Sequence, residues 1–167
     1  MARAVLISIR PEWVKMILNG EKTLEIRKTC PKLETPFKVY IYCTAGNLSY
    51  EVNEGMMCNI SGGKLVVGEF IVDTFVTDRT LGHDELFYSA ACMKKTDMEK
   101  YSAGKTLYGW HISNLEIYDT PKKLSEFSRP FENCIGKVCD EYGCAYCENG
   151  GHIKRPPQSW CYVEGLP

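Results

Sequence analysis

Residues 20–27 read Gly-Glu-Lys-Thr-Leu-Glu-Ile-Arg, and this stretch decides the fold that the sequence predicts. From Thr23 to Arg27 every second residue is polar and the residues between them are apolar. This period of two predicts a half-buried strand with one polar face. Upstream, an apolar stripe over Pro11 to Leu18 predicts a two-turn helix, which ends at Asn19-Gly20.

The polar face of this strand carries the first candidate site. Its members are Lys22, Thr23, Glu25 and Arg27. Lys22 stands at the bend after Gly20, where a departure from strict alternation is easy, so its side chain can join the same face. One interpretation is a solvated face with cross-strand ion pairs, each worth about 1 kcal/mol or less. The other is an anion or nucleobase site, in which Arg27 offers a planar fork and Lys22 a point charge or a base.

Other stretches with the pattern of strands surround this one. They are residues 5–9, 38–44, 64–78, 107–112, 115–118 and 158–163. Gly68 inside the third predicts a bulge or a close backbone approach. Residues 45–63 look irregular, and 81–103 look helical in two pieces, the second beginning at Thr96 with a capping box. Because short helices separate the strands without strict βαβ units, we expect an α+β fold built on a small mixed barrel.

Composition limits the class of protein. The chain has 167 residues, is 44% hydrophobic and 25% charged, and carries a net charge of −1, which is typical of one globular domain and excludes a polybasic tail. Residues 1–40 hold eight Lys or Arg against four Asp or Glu, so the basic end lies beside the candidate strand. No segment approaches the roughly 20 apolar residues of a membrane span. Nine cysteines without an export signal predict a reducing, cytoplasmic location.

Several of these stretches, taken in order, resemble one known family. They are Ser8-Ile9-Arg10-Pro11, residues 20–27, Val67-Gly68-Glu69-Phe70 and Gly109-Trp110-His111-Ile112. Over about residues 4–119 the sequence is similar to ASCH-domain proteins of the PUA-like superfamily, whose hallmark is Gly-x-Lys-x-x-Glu-x-Arg after a short helix. The resemblance implies a PUA-like β-barrel with short flanking helices and an open cleft that binds RNA or a nucleotide.

One branch of that family resembles amidohydrolases that act on N4-acetylcytidine. The resemblance places their catalytic lysine at Lys22 and their acid at Glu69, while Glu25 stands where they carry a nucleophilic threonine. Glu69 can face solvent or pair with Arg27, and a buried cluster of Lys22, Glu25, Arg27 and Glu69 would be balanced in charge. Pairing with Glu25 is expected to raise the pKa of Lys22 and keep it protonated, which opposes a role as a general base.

The second candidate site is a structural zinc centre in a C-terminal loop. Its expected ligands have the spacing C-x4-C-x4-C-x2-C: Cys134, Cys139, Cys144 and Cys147. Reactive or disulfide-linked thiols are the other interpretation, and His152 or Cys161 can replace one of the four ligands. Residues 128–155 are poor in aliphatic side chains, so bound metal would supply the stability that burial cannot.

These patterns divide the chain into a barrel (1–127), a cysteine-rich zinc-binding loop (128–155) and a closing strand (156–167). If the closing strand pairs with the first, Trp160 lies near the barrel mouth, where it either stacks on a base or packs in the core. We expect the protein to bind RNA or a modified nucleoside near Lys22, Arg27 and Glu69. Two alternatives are a nucleoside or RNA hydrolase using Lys22 and Glu69, and a protein-interaction module of a regulatory complex.

Overall fold

The computed structural model describes residues 3–52, 55–77, 85–130 and 151–166. Within these ranges the elements follow one another in the order β1 (Arg3–Ile9), α1 (Pro11–Leu18), β2 (Leu24–Arg27), β3 (Phe37–Cys43), β4 (Leu48–Val52), β5 (Met56–Ile60), β6 (Leu65–Thr77), α2 (Glu85–Ala90), α3 (Lys95–Ser102), β7 (Tyr108–Lys123) and β8 (Trp160–Glu164). A 3₁₀ turn, Leu124–Glu126, follows β7. No helix in the described ranges is long and apolar enough to cross a membrane.

Six strands form one mixed sheet in the order β2-β7-β6-β3-β1-β8. β1 and β3 are parallel, with Ile9 opposite Cys43, and the other neighbours are antiparallel. The last strand pairs with the first, and Trp160 lies opposite Ile7. β2 and β8 are therefore the two edges of the sheet.

Side chains bring the two edges together. The Arg27 guanidinium of β2 donates from Nη2 to the Ser8 carbonyl of β1 at 2.7 Å. The indole N–H of Trp160, in β8, donates to Thr29 Oγ1 at 3.0 Å, just beyond β2. No backbone ladder joins β2 to β8 among the described residues. The sheet is therefore a curled half-barrel whose edges meet through side chains, and the predicted α+β fold holds with that correction.

The main core fills the inside of the curl. Trp110 is fully buried there, with ring centroids 6.3 Å from Phe37, 5.9 Å from Phe75 and 6.0 Å from Trp160. Each large apolar side chain buried in this way contributes about 1.5–3 kcal/mol to folding. A second cluster, which includes Tyr40 and Phe127, covers the opposite face of the sheet, and a third packs α2 and α3 against β2.

Helix α1 spans the predicted residues and sets the direction of the next segment. Its apolar stripe buries Val14, Ile17 and Leu18, and its last turn is closed by the Asn19 N–H bonding Lys15 O at 2.9 Å. Gly20 then takes a φ of 74°, a conformation that glycine adopts readily. The Lys22 N–H bonds Met16 O at 3.0 Å, so the chain turns back and directs Lys22 into the protein.

Three sequence predictions about secondary structure are wrong. Residues 45–63 are not simply irregular, because β4 and β5 form an antiparallel hairpin whose Leu48, Tyr50 and Ile60 are buried in the main core. Helix α3 begins at Lys95 and has no side-chain cap, so the predicted capping box at Thr96 is absent. The two strands predicted on either side of residues 113–114 are one strand, β7, which continues through the left-handed residue Asn114.

Gly68 is needed where the sequence predicts it. The register of β6 against β7 shifts between Val66 and Gly68, which is the expected bulge. A Cβ at Gly68 would lie 2.5 Å from the Glu116 carbonyl oxygen of β7. The two strands can therefore approach only because this residue has no side chain.

Candidate functional site

A cleft of about 780 Å³ opens beside the ends of β1 and β3. Its walls come from the β1–α1 junction, the β2 strand, Lys64 just before β6, and the segment 156–159 that precedes β8. This volume is within the range of about 300–1,000 Å³ that is usual for small-molecule sites. We refer to this cavity as the β1–β3 cleft.

Three charged side chains form the floor of the β1–β3 cleft. The Glu25 carboxylate lies between two cations, with Oε1 2.9 Å from Arg27 Nη2 and Oε2 3.6 Å from Lys22 Nζ. The exposed fractions of the Lys22, Glu25 and Arg27 side chains are only 2%, 8% and 11%. The structure thus brings together three of the four residues of the first candidate site. Because all four residues of β2 are buried, the predicted solvated strand face is wrong.

Further hydrogen bonds hold both cations in place. Lys22 Nζ donates to Ala91 O at 2.7 Å, and the ammonium lies 5.1 Å from the centre of the Trp13 ring. Arg27 donates from Nη2 to Ser8 O at 2.7 Å and from Nη1 to Ser159 Oγ at 3.2 Å. Both terminal nitrogens of the Arg27 guanidinium therefore already have hydrogen-bond partners within the protein. Its Nε–H is buried and has no partner among the described residues.

Burial lowers the pKa of Lys22 below the usual lysine value of 10.5. Removal from water favours the neutral amine, and this effect outweighs the nearby Glu25 carboxylate, which acts in the opposite direction. Glu25 does raise the pKa of Lys22, as expected, but burial lowers this pKa by more, so the expected net rise is wrong. A lysine whose proton is released more readily than normal, placed in a cleft, is a common feature of functional sites.

We expect the pKa of Lys22 to lie below the usual lysine value of 10.5 when its side-chain NMR signal is followed through alkaline pH. In Glu25→Gln the pKa of Lys22 should fall further, because the carboxylate that favours the charged form is gone. A wild-type Lys22 whose pKa is 10.5 or higher would contradict this account of its environment.

Glu69 lies outside the β1–β3 cleft. Its carboxylate contacts Lys38 Nζ at 2.5 Å and accepts a hydrogen bond from the Tyr118 hydroxyl at 2.5 Å. These groups share a separate depression of about 400 Å³. Glu69 pairs with Tyr40, on the face of the sheet opposite the main core. The predicted cluster of four charges is therefore wrong, and a hydrolase that pairs Lys22 with Glu69 has no geometric support.

Thr23 and Trp160 also lie away from the cleft lining. The chain departs from alternation just before β2, so Lys22 takes the inward position and the Thr23 side chain is exposed. The Thr23 backbone instead bonds Ala90 and Ile112, at 2.9 Å each. The ring of Trp160 packs on Trp110 and is fixed by Thr29, so of its two interpretations the structure shows core packing.

Several lining residues are not predicted from the sequence, among them Arg10, Trp13, Lys64 and Tyr101. Trp13 belongs to the apolar stripe of α1, and periodicity alone assigns it to the core, although its ring is half-buried and lines the cleft. A large aromatic residue in the first turn after a strand was the available signal. In the described lining, the basic residues Arg10, Lys22, Arg27 and Lys64 outnumber the one carboxylate, Glu25.

The four cysteines of the predicted zinc centre, Cys134, Cys139, Cys144 and Cys147, lie outside the described residues. Within the described part of the chain, no group of three His, Cys, Asp or Glu side chains is arranged to hold a metal. Both alternative ligands are described. His152 is exposed and lies 3.3 Å from Ser128 Oγ, and Cys161 is a partly buried residue of β8, where burial raises the pKa of its thiol.

Comparison with known proteins supports the fold. No family model and no curated protein matches the sequence. The crystal structure of ASCH from Zymomonas mobilis is similar, with a TM-score of 0.58 and 16% identity over 96% of this chain and 87% of that one. Two point mutants of the same Zymomonas mobilis protein superpose with TM-scores of 0.59 at 17% identity, over 96% of this chain and 88% and 90% of theirs. The chain therefore has the ASCH fold, as the sequence resemblance implies.

Proposed function

We propose that this ASCH-fold protein binds RNA or a nucleotide-like ligand in the β1–β3 cleft. One observation supports the proposal. The same cleft is lined by the half-buried ring of Trp13 and by more basic than acidic side chains. Sites that bind single-stranded nucleic acid combine an aromatic ring, on which a base stacks, with positive charge that attracts the phosphates. The ASCH fold supports the same conclusion at the level of the domain type.

The floor of the cleft offers a hydrogen-bond acceptor to a base edge. Glu25, which lines the cleft, can accept a hydrogen bond from an exocyclic amino group. Because Lys22 and Arg27 fix the Glu25 carboxylate in advance, little ordering is needed when the base enters. A base must be unpaired to reach this depth, so the preferred partner is single-stranded RNA.

The direct test is fluorescence anisotropy with a short labelled single-stranded RNA, titrated at several salt concentrations. We expect affinity to fall linearly with salt on a double-logarithmic plot, with a slope of about −0.7 for each phosphate contact. The same sequence annealed to its complement should bind more weakly, because its bases are no longer free. No binding of single-stranded RNA at low salt would contradict the proposed function.

We also propose that Cys134, Cys139, Cys144 and Cys147 hold a structural zinc ion. The two ends of their segment lie together, because Arg129 N–H bonds Gly151 O at 2.9 Å and Ile153 N–H bonds Phe127 O at 2.8 Å. A metal bound between these ends would stabilise a segment that has few aliphatic residues of its own. The same segment leads directly into the 156–159 wall of the cleft.

Purified protein should contain about one zinc ion per chain by elemental analysis. A chelator should increase hydrogen exchange in residues 128–155 before the barrel unfolds. Metal-free protein in which these residues stay protected would contradict the zinc proposal. Loss of a protein partner only when the cysteines are replaced would instead support the interaction-module alternative.

A further inference from the structure

The basic residues of the β1–β3 cleft fall into two groups. Lys22 and Arg27 are buried and are bonded to Glu25 and to backbone carbonyls. Their positive charges are therefore already paired within the protein and are not available to a phosphate. Arg10 and Lys64 are exposed and line the same cleft. Within the described ranges, neither of these two side chains has a hydrogen bond or an ion pair.

The sheet places Arg10 and Lys64 on either side of one strand end. Arg10 directly follows β1, and Lys64 directly precedes β6. Both strands are neighbours of β3, where Cys43 lies opposite Ile9 on one side and Leu65 on the other. Two strand spacings separate the two backbones, roughly 10 Å, so the two long side chains can converge on one small anion above the end of β3.

The backbone before β6 is shaped to hold Lys64 at this place. Gly62, Gly63 and Lys64 have φ values of 80°, 60° and 68°, and left-handed backbone is uncommon for a residue such as lysine. A Cβ at Gly63 would lie 2.0 Å from the Thr44 carbonyl oxygen, so this turn must pass close to the end of β3. The Lys64 N–H bonds Cys43 O at 2.8 Å. Unusual backbone that is fixed in this way often marks a functional position.

We propose that Arg10 and Lys64 form a phosphate subsite at the mouth of the β1–β3 cleft. The inference rests on the proposed function and deepens it: the floor receives the base, and these two cations hold the phosphate of the same ligand. The recognised group is a phosphate ester, from either a free nucleotide or an RNA chain. Of the anion and nucleobase roles that the sequence leaves open for Lys22 and Arg27, this assigns them the second: they hold Glu25 in place for the base and do not contact the phosphate.

The test compares two double variants with the wild type. Arg10→Gln/Lys64→Gln removes both charges and keeps the side-chain stems, and Lys95→Gln/Lys105→Gln removes two charges from exposed positions outside the cleft lining. Binding of nucleosides, nucleoside 5′-monophosphates, inorganic phosphate and a short single-stranded RNA is measured by calorimetry. The RNA is titrated at several salt concentrations, and circular dichroism confirms that each variant is folded.

We expect the Arg10→Gln/Lys64→Gln variant to bind nucleosides as the wild type does and to bind monophosphates roughly tenfold more weakly. Its salt slope for RNA should be smaller by about 1.4, which corresponds to two lost contacts. The control variant should keep the wild-type slope. If the variant loses affinity only for monophosphates, the subsite binds free nucleotides. If it loses affinity only for RNA, the subsite binds the RNA backbone.

Two further outcomes separate the subsite from the function on which it rests. If the wild type binds nucleotides or RNA and the cleft variant matches it in affinity and slope, the subsite is wrong and the proposed function stands. If the wild type binds none of the ligands, the proposed function fails, and the subsite fails with it.

Discussion

Replacing Glu25 with alanine should reduce the free energy of unfolding by about 3–5 kcal/mol, the usual cost of breaking a buried ion pair from one side. Glu25 is the shared partner of Lys22 and Arg27, and all three side chains are nearly inaccessible to water. Without the carboxylate, two buried positive charges face each other across a cavity. Urea unfolding, followed by fluorescence, measures the change.

The matched control is Glu21→Ala, which removes an exposed carboxylate four residues upstream. It should change stability by less than about 0.5 kcal/mol. The cost of Glu25→Ala should also shrink as the pH rises toward 10.5, because the pKa of Lys22 is already lowered and its proton is then lost, which removes one of the two unpaired charges. A Glu25→Ala variant as stable as the control at neutral pH would show that the three charges do not form a buried network.

The second large effect is expected on binding. Trp13→Leu should weaken the affinity for single-stranded RNA by about 1–3 kcal/mol, roughly fivefold to 150-fold, because a stacking surface for a base is lost. Leucine keeps apolar volume at this position of α1, so packing of the helix against the main core should largely survive. Anisotropy with the labelled RNA gives the affinity, and thermal unfolding reports on the fold.

Trp13→Phe separates stacking from packing. A phenyl ring still offers a flat face to a base, so this variant should recover most of the affinity that Trp13→Leu loses. If the wild type and a folded Trp13→Leu variant bind RNA equally well, the Trp13 ring is not part of the binding surface. Binding would then depend only on the charged groups of the cleft.

Local sequence signals predicted the elements that depend on neighbours along the chain. The bounds of α1 follow from Pro11, the apolar stripe and Asn19-Gly20, and the grouping of Lys22 with Glu25 and Arg27 follows from a strand that begins at a bend. These features need only backbone periodicity and capping. The pairing of the last strand with the first was only a condition at the level of the sequence, because periodicity does not show which strands are neighbours.

Features that depend on strand order and register could not be predicted. The bulges of β6 determine which face of the sheet Glu69 occupies. The alternation of polar and apolar residues does not locate a bulge to the residue, so it cannot assign Glu69 to a face. Arg10 and Lys64 are 54 positions apart and meet only because β3 lies between β1 and β6. The apolar stripe of α1 places Trp13 toward the core, and a stripe does not show that a cleft opens beside the first turn of the helix.

The most direct test of binding in the β1–β3 cleft is an NMR titration of the tryptophan indole N–H signals with single-stranded RNA. The chain has three tryptophans in different settings: Trp13 lines the cleft, Trp110 is fully buried, and Trp160 is bonded to Thr29. We expect the Trp13 signal to shift progressively with added RNA while the Trp110 signal stays in place. RNA binding that leaves the Trp13 signal unchanged would contradict the account, because the ligand would then occupy another surface.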